Sequence, residues 1–232
     1  MIRLFVQSPL KTGVRVVLDE KSSHYLVHVM RCHSNDELLC FNGMDGEWLC
    51  QLELPAKKQG VLSIKKQIRK QEPTPFCALC PALIKKDNMD LVFQKATELG
   101  VSDIYPLITD HTVHSHLNRS HAESIIKEAA EQCERLSLPI LHEPTTIKDL
   151  KKSLPKDCEI CCLSEREGSI SCLPTDKKMA FVIGPEGGWS TKEKAFFRDQ
   201  KFMLFHSDVG ILRAETASIA ILAHWQFLKH KK

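Results

Sequence analysis

The spacing of apolar positions changes character near residue 70. Before it, short apolar runs, Arg3-Leu-Phe-Val6, Arg15-Val-Val-Leu18, Asp36–Phe41, Glu47–Leu54 and Gly60–Lys66, are divided by turn signals such as Asn42-Gly43 and Asp45-Gly46. This pattern predicts several short strands closing into a small barrel, with one short helix over Ser22–Met30. A polar stretch with two prolines, Arg69-Lys-Gln-Glu-Pro-Thr-Pro75, reads as a linker. Beyond it strand-like and helix-like runs alternate, which argues for a parallel sheet with helices on its faces. Strands are expected at Phe76–Leu83, Asp103–Ile108, Cys158–Ser164, Met179–Ile183 and Phe202–Phe205. Helices are expected at Asp87–Leu99, Ser120–Leu136, Lys148–Leu154, Thr191–Gln200 and Ala214–Leu228. Met89, Val92, Phe93, Ala96 and Leu99 recur at helical spacing, Gly100 suits the end of that helix, and Ser190 with Glu193 forms a capping box.

With 232 residues, 43% hydrophobic and 26% charged, the chain can bury a core and is neither disordered nor low in complexity. The length fits one large domain or two unequal ones, and the break in pattern favours 1–70 and 73–232. No window of 18 residues is free of charge, and the first residues lack a long apolar stretch. These features predict a soluble, cytoplasmic protein without a membrane span.

The net charge of +3 is uneven: residues 1–70 hold eleven Lys and Arg against seven Asp and Glu. A positive surplus there suits a polyanion such as RNA, although a solvated surface would look the same. The ten cysteines are not spaced as a disulfide framework. Two C-x-x-C pairs, Cys77–Cys80 and Cys158–Cys161, lie in strand-like runs, where positions three apart point to opposite faces. They read as small buried hydrophobes. His111, His114 and His116 have no clustered carboxylates or thiols, so no metal is expected.

Two segments carry candidate chemistry. In Phe181-Val-Ile-Gly-Pro-Glu-Gly-Gly-Trp-Ser190, an apolar strand meets a turn with three glycines in five residues, and a capped helix follows. Such a loop lets backbone approach a ligand closely and presents free N–H groups, though it could be an ordinary turn. It matches neither the dinucleotide-binding nor the P-loop spacing. In Val209-Gly-Ile-Leu-Arg-Ala-Glu-Thr-Ala-Ser218, a second glycine loop feeds a helix. Glu215 suits the positive end of that helix, whereas Arg213 does not. A cation so placed suits an anion or a carbonyl-rich ligand, or else a salt bridge with Glu215 or Glu186.

Taken in order, these segments resemble the ribosomal RNA small subunit methyltransferase E family, which are 16S rRNA uridine-N3 methyltransferases of the SPOUT class. The resemblance spans the chain. It includes Arg3–Val6, His24–Arg31, Gly46–Trp48, Leu91–Val101 and Glu128–Arg135 with Pro139. It is strongest at Ile183–Gly188 and Ile211–Ala217. Ser207–Gly210 departs from the family's usual Leu-Gly pair.

The resemblance implies an α/β fold: a SPOUT-type knotted parallel-sheet domain preceded by a small PUA-like β-barrel. It implies S-adenosylmethionine held by three loops, Leu163–Glu165, Gly184–Gly188 and Ile211–Ala217. The contacting residues would be Leu163, Ser164, Gly184, Pro185, Glu186, Gly187, Gly188, Ile211, Leu212, Arg213, Thr216 and Ala217. Arg213 would stabilise charge on the uracil ring, with Glu215 or Glu186 orienting it or acting as base. Arg31, Lys57, Lys58, Lys65, Lys66, Arg69 and Lys95 would contact RNA phosphates. The implied partners are 16S rRNA in the small subunit and a second copy of the chain, docked through the helix Ala214–Leu228. The alternatives are another SPOUT activity, such as ribose 2′-O-methylation, or a non-catalytic RNA-binding module.

Overall fold

The early apolar runs build five strands: β1 (Arg3–Phe5), β2 (Arg15–Val17), β3 (Glu37–Phe41), β4 (Glu47–Ala56) and β5 (Gln59–Arg69). In this computed structural model, residues 1–56, 59–113, 116–164, 168, 173–206 and 210–229 are described. The strands form one sheet in the order β1-β3-β4-β5-β2, with only the β1–β3 pair parallel. All five strands send residues into one core, including Leu4, Val16, Leu38, Leu52 and Leu62, which gives the sheet its barrel-like character.

The helix expected over Ser22–Met30 is split. Asp19 accepts from the Ser22 N–H at 2.6 Å and starts α1 (Glu20–His24), which passes into a π-helical turn over Tyr25–Val29. Cys40 and Cys50 correct the reading of the cysteines. They occupy diagonal positions on β3 and β4, their Cα atoms are 6.7 Å apart, and they are joined as a disulfide.

Two compact units emerge. One comprises Met1–Thr74 together with Ala130–Leu138, and the other comprises Pro75–Ala129 with Pro139–Lys232. The excursion of Ala130–Leu138 into the first unit has a clear anchor in Arg3. Its guanidinium is buried, pairs with Glu47 at 2.7 Å and donates to the carbonyls of Ala130, Glu131 and Arg135 at 2.9–3.0 Å. A cation over free terminal carbonyls is favoured by the helix dipole. The helix expected over Ser120–Leu136 correspondingly ends at Gln132, and Glu134 takes a φ of +60°.

In the second unit six strands run parallel. They are β6 (Cys77–Pro81), β7 (Asp103–Ile104), β9 (Ile140–Leu141), β11 (Cys158–Leu163), β12 (Lys178–Ile183) and β13 (Met203–Phe205), in the order β13-β11-β12-β6-β7-β9. The expected strand Asp103–Ile108 is broken at Tyr105-Pro106, because proline has no N–H for a ladder. Its second half, β8 (Leu107–Ile108), pairs with β10 (Thr145–Thr146), and Leu107 keeps an isolated bridge to Ala82 just past β6.

Helices α2 (Lys86–Glu98) and α6 (Ala214–Lys229) pack on each other, and α6 lies on β12 and β6 with the Trp225 ring edge-on to Phe181. The opposite pleat of the sheet, Ala78, Cys80, Cys162, Ala180 and Val182, is covered by α4 (Ile147–Ser153) and α5 (Thr191–Asp199). Fully burying a side chain such as Phe181 or Trp225 contributes about 1.5–3 kcal/mol, and the sheet is held largely by such contacts. Among the described residues no helix is long and apolar enough to cross a membrane.

Candidate active site

A cavity of about 530 Å³ opens at the carboxyl ends of three neighbouring strands: Leu163 closes β11, Ile183 closes β12 and Phe205 closes β13. In open α/β sheets ligands bind at such ends, where the strands stop and loops and helix starts begin. Three segments distant in sequence meet here, Leu163–Ser164, Ile183–Trp189 and Gly210–Ala214, with Lys194, Phe205 and Ala217 completing the wall.

The first two segments are held by backbone bonds. The Ser164 N–H donates to the Phe205 carbonyl at 2.9 Å, joining the ends of β11 and β13. The Gly188 N–H returns to the Pro185 carbonyl at 2.9 Å, closing a tight turn in which Gly188 has a φ of +66°. That conformation is costly for any residue with a Cβ. Gly184 supports the Trp189 ring, where an added Cβ would lie only 3.0 Å from the indole. The indole N–H in turn donates to the Leu163 carbonyl at 2.9 Å.

The expected capping box is present: Ser190 Oγ accepts from the Glu193 N–H, and Glu193 Oε2 accepts from the Ser190 N–H. Asp110 ties this cap down further, accepting from Ser190 Oγ and donating its N–H to Glu193. The His111 Nδ1 lies 2.9 Å from the Gly187 carbonyl and 3.1 Å from that of Gly188. With both partners acceptors, Nδ1 carries the proton. The glycine loop is therefore braced from two sides.

Of the residues expected to bind a cofactor, Leu163, Ser164, Gly184, Pro185, Glu186, Gly187, Gly188, Ile211, Leu212, Arg213 and Ala217 all line the cavity. Thr216 and the expected catalytic residue Glu215 do not. Helical spacing turns Ala214 and Ala217, three apart, toward the cavity and carries the two residues between them around α6. Thr216 is exposed, and Glu215 is buried with Oε2 unpartnered among the described residues. Glu165 and residues 207–209 lie outside the described residues.

Lys194, Trp189 and Phe205 were not picked out from sequence. Lys194 and Trp189 flank the capping box, so the capped helix start following a glycine loop was the available signal. Cys161 and Cys162, which precede Leu163 on β11, are buried. Burial pushes Cys161 up to about 12, and burial, with Cys161 and Glu193 adding to it, holds Cys162 well above its usual range.

The expected phosphate contacts are spread over both units. Arg31, held at a φ of +57°, is exposed, as are Lys65 and Lys66. Arg69 is engaged within the first unit, donating to the Glu134 carbonyl at 3.1 Å and lying 3.6 Å from Glu47. Lys95 pairs with Glu98 on α2. Lys57 and Lys58 lie outside the described residues.

Residues 70–226 match the family model of an RNA methyltransferase domain, and residues 18–65 match that of an RNA methyltransferase PUA domain. The chain is 32% identical to the ribosomal RNA small subunit methyltransferase E of Rickettsia conorii over 97% of this chain and 95% of that one. It is 27% identical to that of Bacillus subtilis over 86% and 85%. A Legionella pneumophila protein described as a methyltransferase, solved with the bound cofactor SAM, superposes with a TM-score of 0.88 at 26% identity, covering 98% of this chain and 97% of that one. The ribosomal RNA small subunit methyltransferase E of Neisseria gonorrhoeae, at 24% identity over 98% of both chains, shares the fold with a TM-score of 0.89.

Proposed function

The chain belongs to the ribosomal RNA small subunit methyltransferase E family, and from that membership we propose that it methylates N3 of a uridine in 16S ribosomal RNA with S-adenosylmethionine. The carrying observation is the single cavity into which three sequence-distant segments converge. Its volume lies within the usual range for small-molecule sites, and its walls are mostly backbone and apolar side chains with few charges. Those features fit a nucleoside bearing a charged tail. Leu163, Gly184–Gly188 and Gly210–Leu212 would hold it.

The cofactor supplies a methyl group on a sulfonium, which needs no activation by the protein. The chain's own residues then have two tasks. The braced loops hold the reactants in line, and in model systems alignment lowers barriers by as much as about 7–11 kcal/mol. Arg213, at the start of α6 and on the cavity wall, stabilises negative charge on the uracil oxygens as the N3 proton leaves. Glu186, exposed on the same wall, takes over the proton-accepting role that sequence had shared with Glu215. The positive surplus of residues 1–70 would position the RNA through its phosphates, which orient without specifying sequence.

The working form would be a cytoplasmic homodimer. Ile221, Leu222 and Trp225 are buried by the sheet, yet Phe227 on α6 is 72% exposed and Ile211 just before it 63%. Light scattering should report about twice 26.4 kDa, and Phe227→Glu should reduce it to the single-chain mass. The activity itself is tested by incubating small subunits from a strain lacking the enzyme with the protein and S-adenosylmethionine, then analysing nucleosides by mass spectrometry. 3-Methyluridine in 16S rRNA is the expected product. A 2′-O-methyl nucleoside, or no product, would overturn the proposal.

A further inference from the structure

In the first unit, Arg31 ends a helical turn in a conformation that helix ends usually give to glycine. The Met30 N–H donates to the Tyr25 carbonyl and the Cys32 N–H reaches back to the Leu26 carbonyl, each at 2.9 Å, closing the π-helical turn around it. Arg31 is left-handed there, with a φ of +57°, and a Cβ in that conformation is strained. Its guanidinium is exposed and bonds no other described residue. Strain retained without a structural contact points to a side chain that serves a ligand.

The same turn sets out a face of matching chemistry. Lys21, His24 and His28 follow one another at three- and four-residue spacing, which keeps them on one side of the helical segment, and Arg31 comes three residues later. All four are exposed, and the two imidazole rings lie 4.7 Å apart. Val29 is 59% exposed among them. Residues 21–35 contain no carboxylate: Asp19 and Glu20 stand at the start of α1, and Asp36, 3.9 Å from His33, precedes β3. Glu131 and Glu134 share a cavity with Tyr25 and Met30, but His24, His28 and Arg31 do not line it. π-Helical turns are rare and recur at functional sites.

The geometry points to this stripe as the seat of an unpaired RNA strand. A base stacks on the His24–His28 pair, and Lys21 and Arg31 take the phosphates to either side. This rests on the RNA substrate assigned above, and it names the face of the first unit that holds that substrate. The rings decide between the two forms of RNA. Cations alone suit a strand or a duplex, whereas an exposed ring needs a base that is free of its own stack.

Fluorescence anisotropy of the full chain with a labelled single-stranded oligouridylate, and with an RNA duplex of equal strand length, tests the inference. His24→Ala combined with His28→Ala should weaken single-strand binding about tenfold, within the range for losing one base stack, and duplex binding less than twofold. His24→Phe with His28→Phe should restore it, since the rings return without their hydrogen-bonding nitrogens. Arg31→Gly should weaken single-strand binding and make its log–log salt slope shallower by about 0.7, the share of one phosphate contact. The same variant should melt at a higher temperature than wild type, because glycine relieves the left-handed strain. Equal losses on strand and duplex from the alanine pair would overturn the inference. So would unchanged RNA affinity or a lowered melting temperature in Arg31→Gly. Normal RNA binding with weaker co-sedimentation on small subunits would mark the face as a protein contact and overturn it as well. If the wild-type chain bound neither RNA nor small subunits, the RNA substrate itself would fall, a result distinct from the others.

Discussion

The Trp189 indole and the Leu163 carbonyl are joined at 2.9 Å, so the loop after β12 and the end of β11 are tied by one side chain. Trp189 is buried, meets Phe197 edge-on at 5.0 Å and rests on Gly184. Trp189→Phe keeps much of the packing but leaves the Leu163 carbonyl without this donor. Urea denaturation should show a loss of about 1–3 kcal/mol. Affinity for S-adenosylmethionine, followed by calorimetry, should fall with it, because both tied segments line the cavity. Unchanged affinity would mean that the loops hold their places independently.

Arg213 and Glu215 should separate cleanly. Arg213→Gln should lower kcat about a hundredfold or more, the scale for removing one stabilising donor, while the folded state keeps its melting temperature. Glu215→Gln should leave turnover within a few-fold, since Glu215 does not line the cavity. Single-turnover methylation of small subunits measures both, and equal losses would restore a catalytic role to Glu215.

Replacing Arg3 should be costly to the first unit. Arg3→Met removes the partner of buried Glu47 and uncovers the carbonyls of Ala130, Glu131 and Arg135. Breaking one side of a buried pair costs about 3–5 kcal/mol, although Arg69, 3.6 Å from Glu47, offsets part of it. Arg3→Lys should recover little, because an ammonium cannot reproduce the fork that meets four acceptors. Chemical denaturation of the two variants decides the point, and a loss below about 1 kcal/mol would contradict the anchor role.

Acid should weaken the turn around Asp45. The Leu10 N–H, at 2.8 Å, and the Asn42 amide, at 2.7 Å, hold its carboxyl below the usual carboxylate range. A folded pKa below the unfolded one gives stability that is fully present above the unfolded value near 4 and is lost as pH falls through the folded value. Melting temperatures measured down from pH 5 should therefore drop more steeply in wild type than in Asp45→Asn. The variant should also be the less stable of the two at pH 7. Parallel acid limbs would rule Asp45 out as a contributor.

The sequence by itself determined what depends on short-range pattern. The helical spacing from Met89 to Ala96 and the Ser190–Glu193 box place α2 and α5 to within a residue or two, because capping and amphipathic periodicity are local. The glycine loop and the segment around Arg213 could likewise be singled out as candidates without coordinates, since three glycines in five residues and a cation set against the helix dipole are visible in the sequence alone. The tertiary structure decided whatever needs two distant segments at once. An apolar run from Asp103 to Ile108 cannot reveal that Leu107 pairs with Thr145 while keeping only a bridge to Ala82 beyond β6. Nothing near Arg3 in sequence marks the carbonyls it reaches some 130 residues on. Cys40 and Cys50 meet only because of the register between β3 and β4. The face of α6 turned to the cavity was beyond sequence for the same reason. Helical periodicity sets which residues share a face, but only packing against β6 and β12 sets where that face points, and that choice brought Ala214 and Ala217 to the cavity and left Glu215 and Thr216 off it.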